Sequence, residues 1–281
     1  MRTITKIINA VATSDGDGVK IKRIGGVALN ALLDPFLMID EINSDDATDY
    51  IGGFPDHPHR GFETITYMKT GRMHHRDHMG NEGVIEAGDV QWMTAGRGVL
   101  HSEMPEAATD LKNKGLLHGF QIWLNLPAAE KMKPAAYCEL PTKHIAEILT
   151  KKGSLVRAIA GDIIANGIKL AGSLPKMSTQ PLLLDIELQT GDNIELAFNI
   201  PNSVKVYVYQ GSLNEGVKQG QLAFFSKGGN LSLSSGSKGA KLLLISGKAL
   251  HEPIVQHGPF VMNSVEQIKR AIRDYQTGQL V

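Results

Sequence analysis

The chain has one cysteine, Cys138, in 281 residues, so no intramolecular disulfide can form and nothing marks an oxidising compartment. Cys138 is read as an inert packing residue. Excess charge of either sign is also missing. Lys and Arg total 29, Asp and Glu total 29, and the formal net charge is zero. A polyanion is therefore a poor candidate partner, and direct nucleic-acid binding is not expected. Long apolar runs are absent too: "LLLIS" (242–246) is strand-length, far short of a membrane span. The opening "MRTITKIINAV" lacks the apolar core and small-residue site of a secretory signal. The expectation is a cytoplasmic protein, or a nuclear one should the source be eukaryotic.

Glycine, by contrast, is plentiful at 30 residues, and short β-branched runs recur between turn signals. "ETITYMKTG", "GVIEAGDVQWM", "GFQIWLNL", "VKVYVYQG" and "AKLLLIS" read as strands. Two stretches read as helices: a short one over Thr142–Leu149, and "SVEQIKRAIRDYQTG" (264–278). The second opens on Ser264 with Gln267 three residues on, closes at Gly278, and carries an apolar stripe of Val265, Ile268, Ile272 and Tyr275. The proline-bearing stretch 125–144 reads as the passage between domains. The division expected is 1–134, a linker over 135–152, and 153–281.

An internal repeat supports two modules. "GDVQWMTAGRGVLHSE" (88–103) lies without gaps over "GQLAFFSKGGNLSLSS" (220–235), matching Gly88 with Gly220, Trp92 with Phe224 and Gly96 with Gly228. "ETITYMKTG" (63–71) lies over "SVKVYVYQG" (203–211). The predicted fold is all-β: two antiparallel β-barrel, jelly-roll-like domains with a short C-terminal helix.

Chemistry concentrates in the first copy. Residues 55–63 read "PDHPHRGFE" and 96–105 read "GRGVLHSEMP". Side chains alternate along a strand, so His57 and His59 share a face, as do His101 and Glu103. On neighbouring strands they would aim three imidazoles and a carboxylate at one point. That donor set suits Fe, Mn, Co, Ni, Cu or Zn, and a thiolate-rich zinc site is excluded. In the second copy the aligned positions are Ala197, Asn199, Leu233 and Ser235, so all four donors vanish while the strand pattern survives. Phe198, Phe225 and Leu233 are expected to fill that module's interior. Glu63, four residues past His59, has the parity to rival Glu103. The histidines of "HHRDH" (74–78) read as exposed on a hairpin turn.

In "GGFPDHPHRGFETITY", "GDVQWMTAGRGVLHSEMP", "EPIVQHGPFVMN" and "IRDYQTG" the chain resembles the pirins, a branch of the cupin superfamily with two β-barrel domains. The resemblance spans nearly the whole chain. It implies His57, His59, His101 and Glu103 as ligands of one divalent metal, iron foremost, and leaves Glu63 beside them, orienting an imidazole. It implies a flavonol 2,3-dioxygenase (quercetinase) acting on a planar aromatic substrate with O₂, Glu103 accepting the substrate proton. Phe54, Met73, Trp92 and Phe120 are candidate pocket walls by proximity in sequence, with core packing the favoured role for each. The alternative the resemblance carries is a non-enzymatic, metal-containing regulator that binds a transcription factor or metabolic enzyme. A sugar-phosphate isomerase ranks last, with only Arg60, Arg72 and Arg97 near the ligand strands.

Overall fold

The computed structural model describes residues 1–110, 113–174, 177–198 and 202–281. Its strands gather into two compact units, one of Val11–Thr142 with Leu250–Val281, the other of Met1–Ala10 with Lys143–Ala249. Each end of the chain thus completes the unit built mainly from the distant part of the sequence.

In the first unit a seven-stranded antiparallel sheet runs in the order Ala136–Leu140, Val90–Thr94, Phe62–Thr70, Leu117–Asn125, Phe36–Ser44, Val19–Gly25, Val11–Asp15. A four-stranded sheet runs Phe54–His59, Val99–Glu106, Arg72–Asp77, Glu82–Ile85. Two sheets of this kind make the jelly-roll-like antiparallel domain expected, open at the edges and not closed into a barrel. The strand Phe62–Thr70 is buried over its first seven residues, so its Ile65, Tyr67 and Met68 pack as core.

The second unit repeats the plan. Its strands run Ile4–Asn9, Gln221–Phe225, Val204–Leu213, Leu231–Ser246, Leu182–Leu188, Leu155–Ala160, Ala146–Leu149. Asn193–Ala197 pairs the first half of the long strand Leu231–Ser246 and carries the hairpin Asp162–Ala165/Ile168–Ala171 beside it. Leu233 and Phe225 are buried in one apolar core with Ile194, Leu196 and Leu213, and Phe198 packs on its edge.

The C-terminal helix forms as the sequence indicates, over Val265–Gln276, with a reciprocal capping box between Ser264 and Gln267. Ile268 and Ala271 are its buried residues, while Val265 and Tyr275 at the ends of the expected stripe are exposed. The helix expected at Thr142–Leu149 is not one. Thr142–His144 is a single 3₁₀ turn and Ala146–Leu149 is a strand paired with Leu155–Ala160. Four residues suffice for an edge strand, and cross-strand pairing wins over the helix expected there. The expected linker is likewise structured at both ends. Ala136–Leu140 is an edge strand of the first unit, flanked by Pro134 and Pro141, where proline removes no ladder bond. Cys138 lies exposed on that strand, not packed as expected. No helix among the described residues is long and apolar enough to cross a membrane.

Candidate metal centre

His57 and His59 stand on Phe54–His59, and this strand pairs antiparallel with Val99–Glu106, so that His57 faces His101 and His59 faces Val99. The register shifts at an irregularity between His101 and Glu103, which sets Glu103 opposite Phe54. One donor nitrogen from each of His57, His59 and His101 lies within 4.8 Å of the others. The rings contact one another with centroids 4.3–4.9 Å apart.

Hydrogen bonds fix which nitrogens converge. His57 Nδ1 donates to the Pro55 carbonyl at 2.8 Å, which turns Nε2 inward to within hydrogen-bond distance of His59 Nε2, 3.0 Å away. His59 is braced edge-on by Phe62 and Trp123 at 5.1 and 5.3 Å. Both nitrogens of His101 are buried without a hydrogen-bond partner. Burial, reinforced by the neighbouring imidazoles, holds His59 and His101 well below the ordinary histidine value, and therefore neutral. Convergent imidazoles, with both nitrogens of His101 lacking a partner, fit a divalent transition metal, which would supply one.

Glu103 is buried beside this cluster and lines the same cavity as His57 and His59, but it is outside the tight three-nitrogen group. Thr66 Oγ1 donates to its Oε1 and Gln121 Nε2 to its Oε2, each at 2.8 Å. Each carboxylate oxygen keeps a further lone-pair site. Glu63 is differently engaged. It accepts from Thr94 Oγ1 at 2.8 Å, and from Trp92 Nε1 and Lys133 Nζ at 3.2 Å, rather than from an imidazole. The parity extrapolated from His59 fails because the chain turns between the two strands at Gly61, whose φ is +92°. A Cβ there would stand 2.1 Å from the Val261 carbonyl oxygen, so only glycine fits the turn.

The turn is also clamped from behind. Buried Lys131 donates to the carbonyls of Gly61 and Val261 and to Asn125 Oδ1 at 2.6–2.9 Å. Arg60 donates to the Arg97 and Leu280 carbonyls and pairs with Asp274 at 2.7 Å. The C-terminal segment thereby fastens the end of the strand that carries His57 and His59.

A cavity of about 720 Å³ opens over the histidines, lined among others by Ile21, Met38, Phe54, Gln121 and Trp123, with the Arg23–Asp40 pair on its wall. Of the four expected wall residues only Phe54 reaches it. Met73 is core, Trp92 is buried on Glu63, and Phe120 stacks on Tyr67. Trp123 was the missed wall residue, although "GFQIWLNL" places it two residues from Gln121 on one face.

"HHRDH" divides by alternation. His74 and His78 are exposed, while His75 and Asp77 are buried, which corrects the reading of all three histidines as exposed. Met73-x-His75-x-Asp77 was the available signal.

The repeat also sharpens in structure. Leu231 pairs with Leu196 and Leu233 with Ile194, as Val99 pairs with His59 and His101 with His57. The counterparts of His57 and His59 are therefore Ile194 and Leu196, three residues earlier than the ungapped alignment placed them. Ala197 is a half-buried strand end, and Asn199 lies outside the described residues.

Two jelly-roll modules, the first with convergent histidines and the second apolar at the same positions, define a two-domain cupin. Family models agree: residues 19–124 match the Pirin model and 183–281 the Pirin C-terminal cupin domain. The chain belongs to the pirin family. A Pseudomonas aeruginosa protein provisionally named a quercetin 2,3-dioxygenase is 43% identical over 285 residues, covering 99% of this chain and 98% of that protein. A pirin-like protein of Caulobacter vibrioides is 39% identical, covering 99% of each. The crystal structure of a quercetin 2,3-dioxygenase from Acinetobacter baumannii superposes with a TM-score of 0.89 at 32% identity, covering 100% of this chain and 98% of that one.

Proposed function

We propose that the first module is a metal-dependent dioxygenase of the quercetin 2,3-dioxygenase type, cleaving a flavonol or similar planar aromatic with O₂. The observation that carries this reading is the convergence of one nitrogen from each of His57, His59 and His101 beside a 720 Å³ cavity that His57, His59 and Glu103 line. The names carried by the Pseudomonas relative and the Acinetobacter structure support it. His57, His59 and His101 would hold one divalent transition metal, iron foremost, with Glu103 as fourth ligand. Such an ion would act as a Lewis acid toward a hydroxyl beside a carbonyl and lower its pKa.

The chain's own residues do the rest. Phe54, Met38 and Trp123 give apolar walls for a flat ring system. Glu103, buried and pinned by Thr66 and Gln121, is placed to take the substrate hydroxyl proton. Gln256, Gly258 and Pro259 complete the lining of the cavity from the C-terminal segment. Quercetin turnover coupled to oxygen uptake by the metal-loaded protein tests the reading. A metal-replete protein that binds quercetin yet consumes no oxygen would instead support the regulatory alternative.

A further inference from the structure

His75 is a buried histidine without an assigned task. It stands on Arg72–Asp77, directly opposite Glu103, while Asp77 stands opposite His101. Its side chain is fully buried, its ring lies 5.4 Å from that of His101, and the other side stacks on Tyr137 at 4.9 Å and 27°. Neither ring nitrogen has a hydrogen-bond partner. The nearest charge is Asp77, with Oδ2 at 3.6 Å from Nε2, an electrostatic approach longer than a hydrogen bond. That carboxylate cannot swing freely, because it accepts from the Met79 and Asn81 amides and from Asn81 Nδ2.

The second module supplies an independent comparison. Leu213 stands opposite Ser235 as His75 stands opposite Glu103, and Leu213 is buried in the apolar core. His57, His59, His75 and His101 are thus replaced by Ile194, Leu196, Leu213 and Leu233. His75 changes together with the cluster, not with the scaffold. An apolar side chain fills this place well, whereas an under-bonded buried imidazole costs stability. The fold therefore does not explain the histidine.

We propose that His75 is a positioning residue for His101, an inference that rests on the reading of the histidine cluster as a metal site. The Asp77 carboxylate favours the tautomer with the proton on Nε2 and leaves Nδ1 as an acceptor. Neither ring makes that bond in the structure, where the two stand 5.4 Å apart; with His101 drawn onto an ion, His75 would accept the ring N–H that His101 does not turn to it, and so fix which nitrogen His101 presents. Tyr137 holds the His75 ring plane.

The test compares the wild type, His75→Leu, His75→Gln and His101→Ala for Co(II) affinity by competition titration, the visible spectrum of the Co(II) form, and thermal stability without metal. Wild type should bind one Co(II) per chain and His101→Ala almost none. If the wild type binds none, the metal reading itself fails. Given wild-type binding, His75→Leu should melt no lower than wild type without metal, yet bind Co(II) 10–100-fold more weakly, at unchanged stoichiometry. Its Co(II) bands should shift, and His75→Gln, which keeps an acceptor, should recover most of the affinity. Wild-type affinity in His75→Leu overturns the proposal. So does equal loss in both variants with a lowered metal-free melting temperature, which would mark a structural residue.

Discussion

The two glutamates separate the proposed site from its surroundings, and their replacement has a calculable outcome. Glu103→Ala strips the acceptor from two buried donors, Thr66 Oγ1 and Gln121 Nε2. Bonds to an ionised acceptor contribute about 1.5–3 kcal/mol each. Thr66 keeps an alternative acceptor in Gln121 Oε1 at 3.1 Å, so the net loss should be nearer 3 kcal/mol than 6. At roughly 2–4 °C per kcal/mol for a unit of this size, the metal-free protein should melt about 6–12 °C lower. Glu103→Gln, which keeps shape and one acceptor, should lose less. Both variants should lose most bound metal and all oxygen uptake. Glu63→Gln breaks its pairing with Lys133 and weakens the Trp92 and Thr94 bonds, but it touches no imidazole. It should keep metal, with affinity lowered at most about tenfold. Elemental analysis of the purified variants, alongside calorimetric melting, reads both effects. Full metal occupancy in Glu103→Ala with loss in Glu63→Gln would refute the assignment.

Three further outcomes follow from the same geometry. Metal bound at 100 times its dissociation constant should stabilise the protein by about 2.7 kcal/mol, so chelation should lower the melting temperature, and His101→Ala should abolish the response to added metal; identical melting with and without metal would count against the site. Because His59 and His101 are held below the ordinary histidine value when folded, the unfolded chain binds more protons. Stability of the metal-free protein should be complete above about pH 6.5 and fall below it, by up to about 2.7 kcal/mol per pH unit for the two imidazoles, with His101→Leu halving the slope; denaturant midpoints that do not move between pH 7 and 5 would contradict this. Leu233→Ala in the second module should cost about 2–5 kcal/mol by opening a core cavity, while metal content stays at the wild-type level; a drop in metal content in the folded variant would show that the modules do not divide labour in this way.

Alternation along short strands makes His57, His59 and His101 legible in the sequence itself, because one parity rule holds within a strand. The same rule fails across Gly61, where a left-handed turn resets the face and sends Glu63 to Trp92, Thr94 and Lys133. His75 is legible in principle, since Met73, His75 and Asp77 alternate inward, but the run of charged and polar neighbours resembles a turn. Gap placement in the repeat cannot be read from residue matches, because Ile194 and Leu196 share nothing chemical with the histidines they replace. Only strand register identifies them. The exchange of chain ends between units is invisible for a similar reason. Ile4–Asn9 carries a plain strand pattern, and nothing local states that its partner is Gln221–Phe225. Trp123 joins the Arg23–Asp40 pair from a strand far along the sequence from the two consecutive strands that carry that pair.

The most direct test of the proposed chemistry is oxygen uptake in the presence of quercetin, measured with an oxygen electrode on iron-reconstituted protein beside the His101→Ala variant. The expected result is one O₂ consumed per quercetin cleaved by the wild type and background uptake by the variant. Equal uptake by both proteins, or none by a wild type shown to carry one iron per chain, would contradict the assignment of a dioxygenase centre to His57, His59, His101 and Glu103.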